Sequence, residues 1–246
     1  MSATPILRPL LAILSLAVLS PSAWPACSAD SGDRPRHLLA LYTSEGCSSC
    51  PPADRFLSGL GQEAGVVPLA FHVDYWNHLG WPDRFARPEY SQRQRAGAGV
   101  NGSRFVYTPQ FVLDGRDWRP GRTAPPWRDA PAGPAGRLSL RLDAADPGRL
   151  AVSGRWRGGL GQVYLALYEN NLESVVRAGE NAGRRLRHDF VVRRLTGPLP
   201  LDAGAFRHDF ALAPDWKRGD LGVAAFVEAT PAGSVVQALR LAICPD

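Results

Sequence analysis

The chain has 246 residues, 45% of them hydrophobic and 21% charged. That composition suits one large globular domain or two modest ones and excludes wholesale disorder. The formal charge is +5, from 28 basic and 23 acidic residues; the basic ones, all arginine except Lys217, are scattered among acids along the chain, so there is no basic stripe to hold a nucleic acid.

At the N-terminus, Arg8 precedes an apolar run from Pro9 to Leu19, and small residues follow from Ser20 to Ala26. This is the three-part pattern of a secretory signal peptide, assigned to residues 1–26. The run is too short to cross a bilayer, which needs roughly 20 apolar residues, and no later segment is longer. A periplasmic or secreted protein without a transmembrane segment is expected. Trp24-Pro25-Ala26 is a poor match to the residues that precede a lipidated cysteine, so anchoring through Cys27 is not expected.

His37 to Thr43 is an apolar run with the length of a buried strand. Ser-Glu-Gly-Cys-Ser-Ser-Cys-Pro-Pro follows, and from Pro51 the period changes: Ala53, Phe56, Leu57 and Leu60 recur at helical spacing. Proline is suited to the first turn of a helix, where its missing N–H costs nothing. Val66 to Val73 is a second strand, Tyr75 to Trp81 an aromatic loop, and Pro82 to Ala98 a second helix. Phe105 to Leu113 is a third strand, stopped by Asp114-Gly115, a strong hairpin signal. Strands alternating with helices imply a parallel or mixed sheet.

Residues 119–136 are rich in Pro, Gly and Ala and read as a linker, or as a degenerate last helix. Beyond them apolar residues alternate with polar ones, as at Leu138, Leu140 and Leu142, then Val163, Leu165 and Leu167. About seven short strands predict a β-sandwich over residues 137–246. Gly179 to Gly183 reads as a hairpin loop.

The chemistry-bearing motif is Cys47-Ser48-Ser49-Cys50. A cysteine just ahead of a helix meets unpaired backbone N–H groups and the positive end of the helix dipole. Both favour the thiolate, the reactive form. Cys47 is then the attacking thiolate and Cys50 the resolving thiol. Cys27 and Cys244 make the count even, and pairing them would staple the two ends of the chain. Closing so long a loop is worth about 4–5 kcal/mol in the chain-entropy model. Thr108-Pro109 interrupts an otherwise good strand, where a proline needs a reason because it cannot donate to the ladder. Glu45 could serve as a proton acceptor near the cysteines, but the favoured reading is an exposed loop carboxylate. Tyr75 and Trp76 are candidates to line a substrate groove beside the cysteines.

Three strings carry a resemblance: Leu-Tyr-Thr-Ser-Glu-Gly-Cys-Ser-Ser-Cys-Pro-Pro-Ala-Asp, Phe-His-Val-Asp-Tyr-Trp-Asn-His-Leu-Gly-Trp and Tyr-Thr-Pro-Gln-Phe-Val-Leu-Asp-Gly. They resemble an exported bacterial family of thioredoxin-like proteins catalogued as domain of unknown function 1223. Tyr-Glu-Asn-Asn-Leu and Gly-Glu-Asn-Ala-Gly-Arg extend the likeness, more weakly, into the β-rich half. The resemblance implies an α/β thioredoxin-like domain over 35–118 followed by an all-β, sandwich-like domain. It also implies a cis-proline at Thr108-Pro109 that positions substrate beside the cysteines. Departures from thioredoxin are Gly46 before the first cysteine, Ser-Ser between the two, and Leu41 where a buried aspartate would stand.

The function expected is thiol–disulfide exchange with protein or small-molecule thiols, without cofactor or resident metal. Two alternatives stand beside it. One is a binding module whose Cys47–Cys50 disulfide is inert. The other is a copper-handling protein that uses the same cysteines and His72.

Overall fold

The computed structural model describes residues 27–32, 34–121, 124–128, 136–144, 146–229 and 233–244. The signal peptide expected at 1–26 and much of the Pro/Gly/Ala-rich segment at 119–136 lie outside those residues.

In chain order the strands and α-helices are β1 (Cys27–Asp30), β2 (His37–Thr43), α1 (Pro51–Ser58), β3 (Val66–His72), α2 (Pro88–Val100), β4 (Gln110–Leu113) and β5 (Arg116–Trp118). After them come β6 (Arg137–Asp143), β7 (Arg149–Arg157), β8 (Gly161–Glu169), β9 (Leu172–Val175), β10 (Arg185–His188) and β11 (Val191–Leu199). The last three are β12 (Ala205–Ala211), β13 (Leu221–Ala229) and β14 (Val235–Ala242).

Local chemistry explains most boundaries. Cys50 is the residue before α1, and prolines open both helices, where no N–H is needed. Gly102, at φ +70°, ends α2, because a left-handed residue there is free of strain only without a side chain. Asp114 and Gly115 both have positive φ, as a two-residue turn matching the strand twist requires. A Cβ on Gly115 would meet the Gly233 carbonyl oxygen at 2.6 Å, so the turn also needs a bare backbone.

The sequence reading of two separate folds is corrected here. The chain is mostly strand, with two α-helices among the described residues, and it does not build an α/β thioredoxin-like domain. One eight-stranded mixed sheet runs β14-β13-β8-β11-β3-β2-β4-β5, taking strands from both halves of the sequence. β3 is buried at all seven positions, and it would present an open edge if paired only with β2. β11 covers that edge: Val191 pairs in parallel with Ala70, whose N–H donates to the Phe190 carbonyl at 2.8 Å. Nor is the β-rich half a sandwich of its own. A four-stranded sheet, β1-β6-β7-β12, packs on one face of the large sheet. Leu138, Leu140, Val152 and Phe206 meet Leu165, Leu167, Val223 and Leu239 there. The predicted third strand is also shorter than expected. Only Gln110–Leu113 is strand, because Pro109 has no N–H to donate to the ladder.

Candidate functional site

β2 carries the chain to Thr43, and Ser44, Glu45 and Gly46 turn it into Cys47. The Cys47 N–H donates to the Ser44 carbonyl and the Cys50 N–H to the Cys47 carbonyl, both at 3.2 Å. Cys47 and Cys50 are disulfide-bonded, with Cα atoms 5.4 Å apart. The second disulfide joins Cys27 to Cys244. Neither cysteine of the Cys47–Cys50 pair exposes any surface, while Ser48 and Ser49 between them are exposed.

The cover is the β9–β10 hairpin, a two-stranded ribbon that joins neither large sheet. Its loop grips the cysteine turn. The fully buried Asn181 amide donates to the carbonyls of Glu45 and Cys47, each at 2.9 Å. Arg184 holds the other end of that amide at 2.7 Å. Glu180 Oε2 accepts from the Ser48 N–H at 2.9 Å and from its hydroxyl at 2.7 Å.

Beneath this cover lie five ionisable side chains, Glu45, Asp54, His72, Asp83 and His188, none more than 6% exposed. The reading of Glu45 as an exposed carboxylate is therefore reversed. Trp81 donates its indole N–H to Glu45 Oε2 at 2.7 Å, and His188 Nε2 stands 3.5 Å from Oε1. Burial pushes the Glu45 carboxyl up, but the facing His188 and Trp81 outweigh it and leave it below its usual value. His72 Nδ1 lies 2.7 Å from Asp83 Oδ2, which also accepts the Glu45 N–H at 2.9 Å. Burial works against charge on both partners. Their pairing wins, lowering Asp83 and raising His72. Asp54 accepts from Thr43 Oγ1 at 2.8 Å and faces His188 Nδ1 at 3.8 Å. Here burial dominates, and the Asp54 carboxyl is pushed up.

That last shift predicts a pH dependence. A carboxyl whose folded value exceeds its unfolded value, about 3.9, keeps its proton longer in the folded chain. Folding stability then declines as pH rises above about 4, toward Asp54's folded value. Asp54→Asn is expected to flatten the stability curve over that window. Thermal melts across a pH series check it, and a variant curve parallel to the wild type's would contradict it.

Of the remaining sequence candidates, Trp76 and Thr108 meet at the turn before Cys47. Trp76 packs over Gly46, where a Cβ would sit 3.0 Å from Trp76 Cβ. Its indole donates to Thr108 Oγ1 at 2.8 Å, tying the cis Thr108–Pro109 segment to the turn before Cys47. Tyr75 points its hydroxyl to Gln94 Oε1 at 3.2 Å. Glu180, Asn181 and His188 escaped sequence reasoning. Glu180 and Asn181 left a trace in the hairpin-loop pattern at Gly179–Gly183 and in the family-like string there; nothing pointed to His188. Among the described residues, no group of three or more His, Cys, Asp or Glu side chains is arranged to hold a metal ion. No helix among them is long and apolar enough to cross a membrane.

A family model described as "Protein of unknown function (DUF1223)" matches residues 38–228. Protein AGR_C_4864 from Agrobacterium tumefaciens has a similar crystal structure: TM-score 0.63 at 25% identity, over 83% of this chain and 93% of that one. HBP35 of Porphyromonas gingivalis is similar at TM-score 0.57 and 15% identity, over 85% of this chain and 76% of that one, a likeness of fold alone. None of the curated proteins matches the chain.

Proposed function

This chain belongs to the DUF1223 family of proteins of unknown function, and for it we propose thiol–disulfide exchange at the Cys47–Cys50 pair. The observation that carries the reading is the placing of this three-residue-spaced disulfide at the start of α1, against a buried cluster of three carboxylates and two histidines. Buried, perturbed ionisable groups beside a reactive centre make it a candidate functional site.

The exchange runs as follows. A thiolate of a dithiol substrate attacks Cys47 Sγ, the Cys47–Cys50 bond breaks, and Cys50 leaves as a thiolate that takes up a proton. The second substrate thiolate then attacks its own sulfur in the mixed disulfide and releases Cys47. The substrate loses two electrons and becomes a disulfide; the protein gains them as two thiols. Every step is reversible, so reduced Cys47 can equally attack a substrate disulfide, with Cys50 resolving. We assign substrate positioning to Thr108–Pro109 and Trp76, which share a hydrogen bond beside the cysteine turn. Both cysteines are buried and the β9–β10 loop is bonded to their turn, so we assign the admission of a protein or small-molecule thiol to lifting of that hairpin. An exported location accords with the reading, since two disulfides persist best in an oxidising compartment.

Turnover of a fluorogenic dithiol or disulfide peptide tests it. Cys47→Ser is expected to abolish turnover. With the disulfide peptide, Cys50→Ser is expected to stop after one event and to trap a mixed disulfide on Cys47, visible by mass. Equal turnover by wild type and Cys47→Ser would sink the proposal.

A further inference from the structure

Away from the cysteines, a cavity of about 710 Å³ opens between α2 and the large sheet. Sites for small organic ligands typically enclose about 300–1,000 Å³. Its floor is one face of two neighbouring strands. Leu38, Ala40 and Tyr42 alternate along β2, and Val112 lies opposite Ala40 on β4. Its roof is the C-terminal half of α2, where Gly97 and Ala98 replace the large side chains that would fill the space. A Cβ on Gly97 would meet nothing within 4 Å. The helix seats on the sheet with its other half, through the fully buried Tyr90, so the gap beneath the second half is left unfilled. Val100 and Tyr107 also line the space, and they remain 67% and 40% exposed.

The polar groups of the wall define what would fit. Arg93 is ion-paired with Glu228 and lies over the Tyr164 ring, 5.4 Å from its centroid. Arg119 faces Asp117 at 3.7 Å. Glu89 adds a third carboxylate to the lining, so among its described residues no cation is left to balance an anionic ligand. Burying such an anion would cost its hydration without return. Burial pushes the Tyr42 phenol up to about 12, so it stays a neutral hydroxyl.

We propose that this cavity is a binding site for a neutral small molecule with an apolar, ring-sized body, distinct from the cysteine site. The apolar floor supplies the contact area. The paired charges at the wall orient a polar substituent and discriminate against anions.

Two probes with one ring system test it on the full, oxidised protein: neutral N-phenyl-1-naphthylamine and its anionic 8-sulfonate analogue. The neutral probe is expected to give a saturable fluorescence rise with a Kd of about micromolar order. The sulfonate is expected to bind at least about tenfold more weakly. Ala98→Phe from the roof and Ala40→Leu from the floor should each weaken the neutral probe about tenfold or more, with melting curves confirming that each variant folds. If one variant fails to fold, the other still decides. No saturable binding of the neutral probe, or binding that survives a folded cavity-filling variant, would overturn the site. Equal or tighter binding of the sulfonate would overturn the ligand class. The readout is binding alone, so the result does not depend on the redox reading.

Discussion

Asn181→Ala is expected to make the Cys47–Cys50 disulfide react with dithiothreitol about tenfold to a hundredfold faster than in the wild type. The Asn181 amide donates to the two carbonyls that flank Gly46 and is itself fully buried. Its loss removes two hydrogen bonds worth about 0.5–1.5 kcal/mol each and leaves two carbonyls without their donor. The penalty falls on the closed hairpin, because an open hairpin returns those carbonyls to water. Where opening and closing are faster than attack by the thiol, the rate follows the open population, and each 1.4 kcal/mol is about a factor of ten. Glu180→Ala should act in the same direction and less strongly, since its bonds to Ser48 lie in solvent and are screened by salt. Stopped reactions with thiol trapping and mass spectrometry measure the rate. An unchanged rate in a folded Asn181→Ala protein would mean that the hairpin does not control access.

Removing the other disulfide is expected to destabilise the fold by about 2–5 kcal/mol and to lower the melting temperature by roughly 4–20 °C. Cys27 begins β1 and pairs opposite Leu142 of β6; Cys244 follows β14 at the other end of the chain. The bridge spans 217 residues and ties the small sheet to the edge of the large one. In its absence β1 is held by a four-residue ladder to β6, the Arg137–Asp30 ion pair and the packing of Ala29 on the core, but by no covalent link to the large sheet. The Cys27→Ala/Cys244→Ala double variant, melted without reductant so that Cys47–Cys50 stays intact, measures the effect. A loss below about 1 kcal/mol would show that the termini hold without the staple.

How far the chain could be read from its residues depended on the range of each contact. β2, the start of α1 and β3 follow from apolar runs and the Cys-Pro-Pro junction, each read from a short stretch of neighbouring residues. So do the Cys47–Cys50 pair and the Asp114-Gly115 turn, whose geometry is set by neighbours along the chain. The single large sheet was not legible, because the β11–β3 pairing joins Val191 to Ala70 and leaves no periodic trace in either segment. Val66 to His72 reads as a buried strand whether or not β11 is beside it. The second helix begins at Pro88 rather than Pro82 because Asp83 turns its carboxylate inward. There it accepts the Phe85 N–H at 2.9 Å and pairs with His72.

The site divides along the same line. Cys47, Cys50, Trp76 and Thr108–Pro109 were visible as residue types in suggestive positions. The groups that seal and charge the site were not. Glu45 looks solvated in a Ser-Glu-Gly loop, and its burial depends on Trp81 and on His188, the latter 143 positions further along the chain. Asn181 sits in a string that resembles the family, yet nothing local distinguishes a loop asparagine in water from one that holds a disulfide turn.

The measurement that tests the central claim most directly is the reduction potential of the Cys47–Cys50 pair, read in glutathione or dithiothreitol buffers with thiol trapping and mass spectrometry. Thiol–disulfide exchange as a function predicts a value between about −120 and −270 mV, where known catalysts of that chemistry lie. A value well below about −300 mV would identify a stable structural disulfide and contradict the account.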